Sequence, residues 1–278
     1  MADRKGICST DILVIRPIEG QAIPALYGYI LRSARFNDAV LAQLKGAQLP
    51  RIGWSSFAEL QIPLPPLELQ KEIVAEIEGY QKVINGSRAV LDNYRPHIPI
   101  HPDWPEEVFS EVTMTITPPT KIQAGDFKDE GQYPVIDQSQ SAIAGRTDDE
   151  TALIDGRDGL VIFGDHTCAV KFVAERFAQG ADGIKIIKAG ERLEPKFVYF
   201  YLLSHPIEQE GYKRHFGKLR ESRIAVPPLE TQRAIVAEME AEEALVRANR
   251  ELIERFEEKI QATLARVWGE EDSAATES

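Results

Sequence analysis

Pro65-Pro66-Leu67-Glu68-Leu69-Gln70-Lys71-Glu72-Ile73-Val74-Ala75-Glu76 recurs as Pro227-Pro228-Leu229-Glu230-Thr231-Gln232-Arg233-Ala234-Ile235-Val236-Ala237-Glu238, displaced by 162 residues. From Ile62 to Glu78 against Ile224 to Glu240, 11 of 17 positions are identical, where chance gives about one; the chain carries an internal repeat. Each copy reads as a helix start. A Pro pair cannot continue a strand ladder and suits the approach to a helix. Glu68 and Glu230 then place negative charge in the first turn, where the helix dipole favours it.

Upstream the order of elements repeats too. Asp11-Ile12-Leu13-Val14-Ile15-Arg16 is an apolar run of strand length, matched by Asp182-Gly183-Ile184-Lys185-Ile186-Ile187. Pro24 opens a helical pattern that runs on toward Leu44, and the segment from Leu193 to Leu203 matches its start. Gly46 to Phe57 reads as a loop. The repeat unit is strand, helix, loop, Pro-Pro, long helix.

The first long helix is expected from Pro66 to Tyr94, stopped by Arg95-Pro96. Ile73, Ile77, Tyr80, Ile84, Ser87, Leu91 and Tyr94 alternate spacings of four and three, which is a heptad seam. The second is expected from Pro228 to Trp268, with Ile235, Met239, Glu242, Val246, Asn249, Ile253, Phe256, Ile260 and Val267 in a similar seam. The two seams are expected to pack as an antiparallel coiled coil; two amphipathic helices lying on a globular core is the alternative. Between them, short β-like runs at Val112–Ile116, Tyr133–Ile136, Gly159–Phe163 and Cys168–Phe172 are broken by turn residues. The fold class expected is α+β, a mostly β domain with helices plus two long helices.

Composition narrows the function classes. Among 278 residues, 43% are hydrophobic and 27% charged, as in globular domains. No run approaches the roughly 18 apolar residues of a membrane span, and the N-terminus lacks the apolar core of a signal peptide. Cys8 and Cys168 make neither a disulfide framework nor a metal cluster, so the cytoplasm is expected. The net charge of −12 argues against a protein that coats nucleic acid. Its distribution is uneven, however: residues 101–170 carry −10 and residues 171–220 carry +4.

A β-rich domain followed by Pro-Pro-Leu-Glu-x-Gln-x-x-Ile-Val and a long helix, twice over, resembles the specificity subunit of type I restriction–modification systems. Phe163-Gly164-Asp165-His166-Thr167 with Val170-Lys171, and Ile224-Ala225-Val226-Pro227-Pro228, are similar to stretches of its recognition domains. The resemblance implies a non-catalytic subunit without cofactor that reads double-stranded DNA. Two target-recognition domains alternate with two spacer helices, and methyltransferase (modification) subunits and restriction/translocase subunits dock on it. It divides the chain into the back end of a first recognition domain (1–61), a first spacer helix (62–95), a connector (96–104), a second, complete recognition domain (105–225), a second spacer helix (226–268) and a disordered acidic tail (269–278). The first domain is then N-terminally incomplete. Its front could be encoded elsewhere, lost by truncation, or completed by a partner chain, and the connector resembles those of methylase–specificity fusions. A detached specificity part of such a fusion and a coiled-coil scaffold without DNA role are the alternatives.

No Asn/Asp-Pro-Pro-Tyr/Phe motif and no glycine-rich phosphate loop is present, so methylation and translocation are assigned to partners. Asp182 with Glu194-Pro195-Lys196 has nuclease-like spacing that chance produces easily. The first DNA-contact candidates are Lys213, Arg214, Lys218 and Arg220, basic residues interleaved with aromatics that could neutralise phosphates; a solvated helix end would look the same. Base reading calls for bidentate side chains, and Gln138, Ser139, Gln140, Arg146 and Arg157 lie in loops that supply them, though each also suits a β-turn. His166, Thr167 and Lys171 complete the candidate set, with His166 better suited to locking the turn at Gly164-Asp165.

Overall fold

Pro66 and Pro228 precede the two long helices because a residue at that position needs no amide hydrogen of its own. Their carbonyls accept the first helical bonds, from Gln70 N–H and Gln232 N–H at 3.0 Å each. The structure, a computed structural model, describes residues 12–44, 52–180, 183–211 and 213–269. Cys8, Asp11, residues 45–51, Asp182, Tyr212 and the tail from residue 270 lie outside these.

In chain order the elements are α1 (Pro24–Ile30), α2 (Ala34–Leu41), α3 (Trp54–Ala58), α4 (Leu67–Asn93), β1 (Glu106–Val108), α5 (Phe109–Val112), β2 (Thr113–Ile116), β3 (Lys121–Ile122), β4 (Tyr133–Ile136), β5 (Gly145–Thr147), β6 (Leu153–Asp155), β7 (Leu160–Gly164), β8 (Val170–Val173), β9 (Arg176–Gly180), β10 (Ile184–Ala189), α6 (Pro195–Ser204), α7 (Phe216–Glu221), β11 (Arg223–Ala225) and α8 (Leu229–Val267). This is the expected α+β class. Among the described residues no helix is long and apolar enough to cross a membrane. Two compact units share the chain: residues 1–93 with 246–278, and residues 94–245.

In the first unit, α4 and the last turns of α8 run antiparallel as a coiled coil. Ile73, Ile77 and Ile84 are buried with Ile260 and Leu264, and Tyr80, Ile253 and Phe256 pack on them half-buried. The Tyr80 and Phe256 rings meet edge-on at 5.4 Å. Arg266 donates to both oxygens of Glu76 at 2.9 Å, Thr263 donates to Glu76 at 3.0 Å, and Arg88 pairs with Glu257 at 2.5 Å. The helical pattern expected to run from Pro24 toward Leu44 is two helices. Ser33 ends the first by donating to Ile30 O at 2.7 Å and caps α2 by accepting from Phe36 N–H. Residues 12–16, expected with Asp11 as a strand, form none, because among the described residues no neighbouring strand offers them a ladder. Within the expected loop from Gly46 to Phe57, Trp54 onward is helical.

In the second unit, β2-β10-β7-β8 form an antiparallel sheet, and β3-β9-β4-β5, with β6 on β9, form a mixed one. β7 reads as an unbroken apolar run because both its faces are covered. Val161 and Phe163 point to a core with Phe197, Phe200, Leu219 and Met239, while Leu160 and Ile162 point to Ile136, Phe177 and Ile186. Antiparallel β1 and β11 bring the two ends of this region together, Val226 N–H donating to Pro105 O at 2.8 Å. The connector docks through Ile98, fully buried, whose N–H donates to Ser204 Oγ at 2.8 Å. Tyr94 donates to Glu242 at 2.9 Å; burial and then that carboxylate push the Tyr94 phenol well above its ordinary pKa. Of the second seam, Met239 is buried, and Ile235, Glu242 and Val246 are half-buried, as is Leu91 of the first.

The repeated Gln explains the repeated motif. Gln70 and Gln232 are both 0% exposed. Gln70 Oε1 accepts from Ile23 N–H at 2.8 Å, and its Nε2 donates to Gln21 O at 2.9 Å and Pro65 O at 2.7 Å. Gln232 does the same with Glu194 N–H at 2.8 Å, Arg192 O at 2.9 Å and Pro227 O at 2.7 Å. One amide thus ties the start of a short helix to the start of a long one.

Two stability predictions follow from this packing. Ile77→Ala, at a fully buried seam position, lowers stability by about 2–5 kcal/mol. Gln232→Met keeps the volume but leaves one buried and two half-buried backbone groups without their partner, costing about 1–3 kcal/mol. Urea denaturation with far-UV circular dichroism measures both; a Gln232→Met protein as stable as the parent would refute the latch.

Candidate nucleic-acid interface

Three separated stretches converge beyond the ends of β4 and β7: the turn after β4, the turn between β7 and β8, and the segment leading into α7. The middle one is tight. Gly164 N–H donates to Ala169 O and Cys168 N–H to Gly164 O, both at 2.8 Å, with Cys168 in the left-handed region at φ 53. A Cβ on Gly164 would run into the Thr167 hydroxyl, so this position requires glycine.

Asp165 holds the assembly together. It is 4% exposed, and its Oδ1 accepts from His215 N–H at 3.0 Å and Phe216 N–H at 2.9 Å. It therefore caps α7, whose own N-cap residue, His215, has no capping side chain. The Asp165 carbonyl accepts from His215 N–H at 2.8 Å and lies 3.1 Å from His215 Nδ1, while Asp165 N–H donates to Gly183 O at 2.7 Å. Glu210 N–H donates to His215 Nε2 at 2.9 Å, which places the ring proton on Nδ1, facing the Asp165 carbonyl.

The other candidates take distinct places around this knot. Thr167 Oγ1 donates to Gln138 O at 2.7 Å, and His166 N–H approaches Gln138 Oε1 at 3.4 Å. His166 Nδ1 lies 3.0 Å from Lys213 O, and Gln209 donates to the His166 carbonyl at 3.0 Å. Ser139 turns back on Asp137, its N–H and hydroxyl donating to Oδ1 at 2.9 and 2.6 Å. Lys171, its side chain 11% exposed, donates to Asp137 O at 2.7 Å with Asp137 Oδ1 3.6 Å away. Burial lowers the Lys171 pKa against the pull of that carboxylate. Burial likewise works to raise Asp137, but the Ser139 donors, then Lys171, hold its carboxyl below the ordinary value. Gln138, Ser139, His166, Thr167 and Lys171 thus build the platform, and Gln140 is exposed on it.

Lys213, Arg214, Lys218 and Arg220 are all exposed. Glu210 pairs with Lys218 at 2.6 Å and lies 4.0 Å from Lys213, and Lys185 sits over the Phe216 ring at 5.6 Å. Arg146 and Arg157 make their contacts elsewhere. Arg146, in β5, donates to Gly131 O at 3.1 Å. Arg157 forks onto Asp155 at 2.9 and 2.6 Å, and this pairing holds the Asp155 carboxyl far below its ordinary range.

Sequence reasoning passed over Asp165, His215, Asp137 and Glu210 as members of this site. The one available signal was an acid directly following the apolar run of β7, a position where a buried carboxylate must find donors.

Residues 1–91 and 106–258 match the type I restriction modification DNA specificity domain family. A protein of Methanocaldococcus jannaschii assigned as the specificity subunit of type I restriction enzyme MjaX is 24% identical over 299 residues, covering 90% of this chain and 69% of its own length. Among solved structures, a chain from work on complex assembly and conformational transition of the type I R-M system superposes with a TM-score of 0.57 at 22% identity, covering 92% of this chain and 74% of that one. The type I restriction-modification S subunit of M. genitalium superposes at 0.52 with 13% identity, covering 87% and 72%. These two likenesses concern the fold. The matched family spans nearly the whole repeat on both sides of the connector, and the chain belongs to it, as a non-catalytic specificity subunit of type I restriction–modification.

Proposed function

We propose that this subunit reads part of a bipartite double-stranded DNA site through residues 105–225, and that adenine methyltransferase and restriction subunits dock on it in the cytoplasm. The pairing of β1 with β11, which joins Pro105 to Val226, supports those limits for a recognition domain. Residues 1–61 then correspond to part of another such domain, with 62–95 and 226–268 as spacers and 96–104 as connector.

The observation that carries the reading is the exposed basic segment Lys213–Arg220, fixed at its base by buried Asp165 and His215. Anchored lysines and arginines neutralise phosphates and set orientation, while the neighbouring turn offers Gln140 to base edges. The spacer role rests on length: 27 residues of α4 make a rod of about 40 Å at roughly 1.5 Å per residue. That is close to the roughly 34–36 Å between half-sites one DNA turn apart.

Lys218→Ala and Arg220→Ala weaken binding evenly across duplex sequences, and each reduces the slope of log affinity against log salt by about 1. Fluorescence anisotropy across a salt series reads this; affinity indifferent to salt in the parent protein would point instead to a scaffold. Inserting one heptad into the 73–94 seam, in the assembled complex, lengthens the non-specific gap of the methylated site. Sequencing of modified adenines measures the gap, and an unaltered methylation pattern defeats the ruler role.

A further inference from the structure

Gln138, half-buried in the turn after β4, has a seat built for its side chain. Thr167 Oγ1 donates to the Gln138 carbonyl at 2.7 Å, and His166 N–H donates to Gln138 Oε1 at 3.4 Å. Two glycines leave room for it. A Cβ on Gly164 would come within 3.2 Å of Gln138 Cβ. A Cβ on Gly183 would lie 2.6, 2.6 and 2.7 Å from the amide carbon, nitrogen and oxygen, so the face of the amide rests on that glycine. Gly183 also has φ +110, a conformation that side chains disfavour.

This seat fixes the polarity of the amide. Turning the group over would set Nε2 against His166 N–H, donor against donor, so Oε1 faces the β7–β8 turn. Among the described residues Nε2 has no hydrogen-bond partner, and the atom is open to solvent. Gln138 thus uses its acceptor within the protein and keeps two N–H donors for whatever reaches the turn. A free glutamine pairs with adenine through an acceptor and a donor together, at N6 and N7. The seated one turns its acceptor away and offers donors alone. In the major groove guanine sets two acceptors side by side, N7 and O6, whereas adenine sets an amine donor beside N7.

We propose that Gln138 is a specificity-determining residue that reads guanine from the major groove, Nε2 donating to N7 and O6, and rejects adenine at the same position. The proposal deepens the DNA-reading assignment and rests on it. The exposed cations nearby hold phosphates and orient the duplex; the seated amide chooses the base.

The test mixes the full chain with a pool of duplexes of randomised sequence and sequences the bound fraction. The parent should enrich a motif containing a guanine whose replacement by 7-deazaguanine, which lacks the N7 acceptor, weakens binding about tenfold. Gln138→Ala should bind those two duplexes equally. Gln138→Glu keeps an acceptor for His166 N–H and presents another outward, so it should enrich cytosine, whose N4 amine donates, in place of that guanine. A parent indifferent to 7-deazaguanine at every guanine of its motif overturns the proposal without recourse to any variant. So does a sensitivity that survives at every guanine in Gln138→Ala, or a motif unchanged in Gln138→Glu; each of these leaves DNA reading by the domain standing. A pool from which the parent enriches no motif overturns both readings together.

Discussion

A buried glutamine with three backbone partners is the constraint on which each half of this protein depends. The position needs one acceptor and two donors at a fixed reach. Glutamate offers no donor, asparagine is one methylene short, and an aliphatic side chain would strand a helix N-terminal amide and two carbonyls in the interior. With Gln70 or Gln232 in place, the residue capping a short helix, a residue two before it and a Pro carbonyl converge on one side chain. The latch fixes where a globular part stops and a rod begins, and it does so at two endpoints only. The intervening loop can differ by about nine residues between the copies because closing a longer loop costs little additional entropy.

What each latch joins differs in how its apolar surface is covered. In the second unit the sheet β2-β10-β7-β8 is covered by α6 on one face and by residues of the mixed sheet on the other, so its central strand β7 is an unbroken apolar run. In the first unit the same strand-like sequence lies open beside α1, and the seam between α4 and the end of α8 supplies most of the burial. Beside that seam, Glu76 receives Thr263, Tyr80 and Arg266, so a carboxylate in a half-buried groove does not stand uncompensated.

The repeat, both long helices and the β-rich middle were legible because periodicity and Pro-Pro punctuation are local signals. Residues 12–16 were read as a strand on the same ground, yet a strand exists only where a ladder partner is present, and apolar content cannot show that. The break at Ser33 was hidden because a serine within a helical pattern becomes a cap only if the chain turns there. At the site, Lys213, Arg214, Lys218 and Arg220 are exposed, as basic residues in a polar stretch usually are. The roles of Asp165 and His215 depend on a pairing across 50 residues, which no spacing rule encodes. Arg157 illustrates the converse. Its partner Asp155 is two residues away, and the pair could have been suspected from sequence.

A chain of net charge −12 can present a basic surface only where its acids are placed to serve that surface. Asp165 is turned inward, where its Oδ1 accepts from the amides opening α7 instead of lying among the exposed lysines and arginines. Glu210 lies against Lys218 and near Lys213, holding them at one edge of the segment at the cost of part of their charge. Exposed pairs of this kind add little stability; their effect is on orientation. The basic side chains consequently project from backbone that is already ordered, and side chains on a fixed base lose less freedom on contact than those of a free loop. The buried acid thus supplies rigidity, and the surplus of Lys and Arg over Asp and Glu between residues 171 and 220 supplies the field.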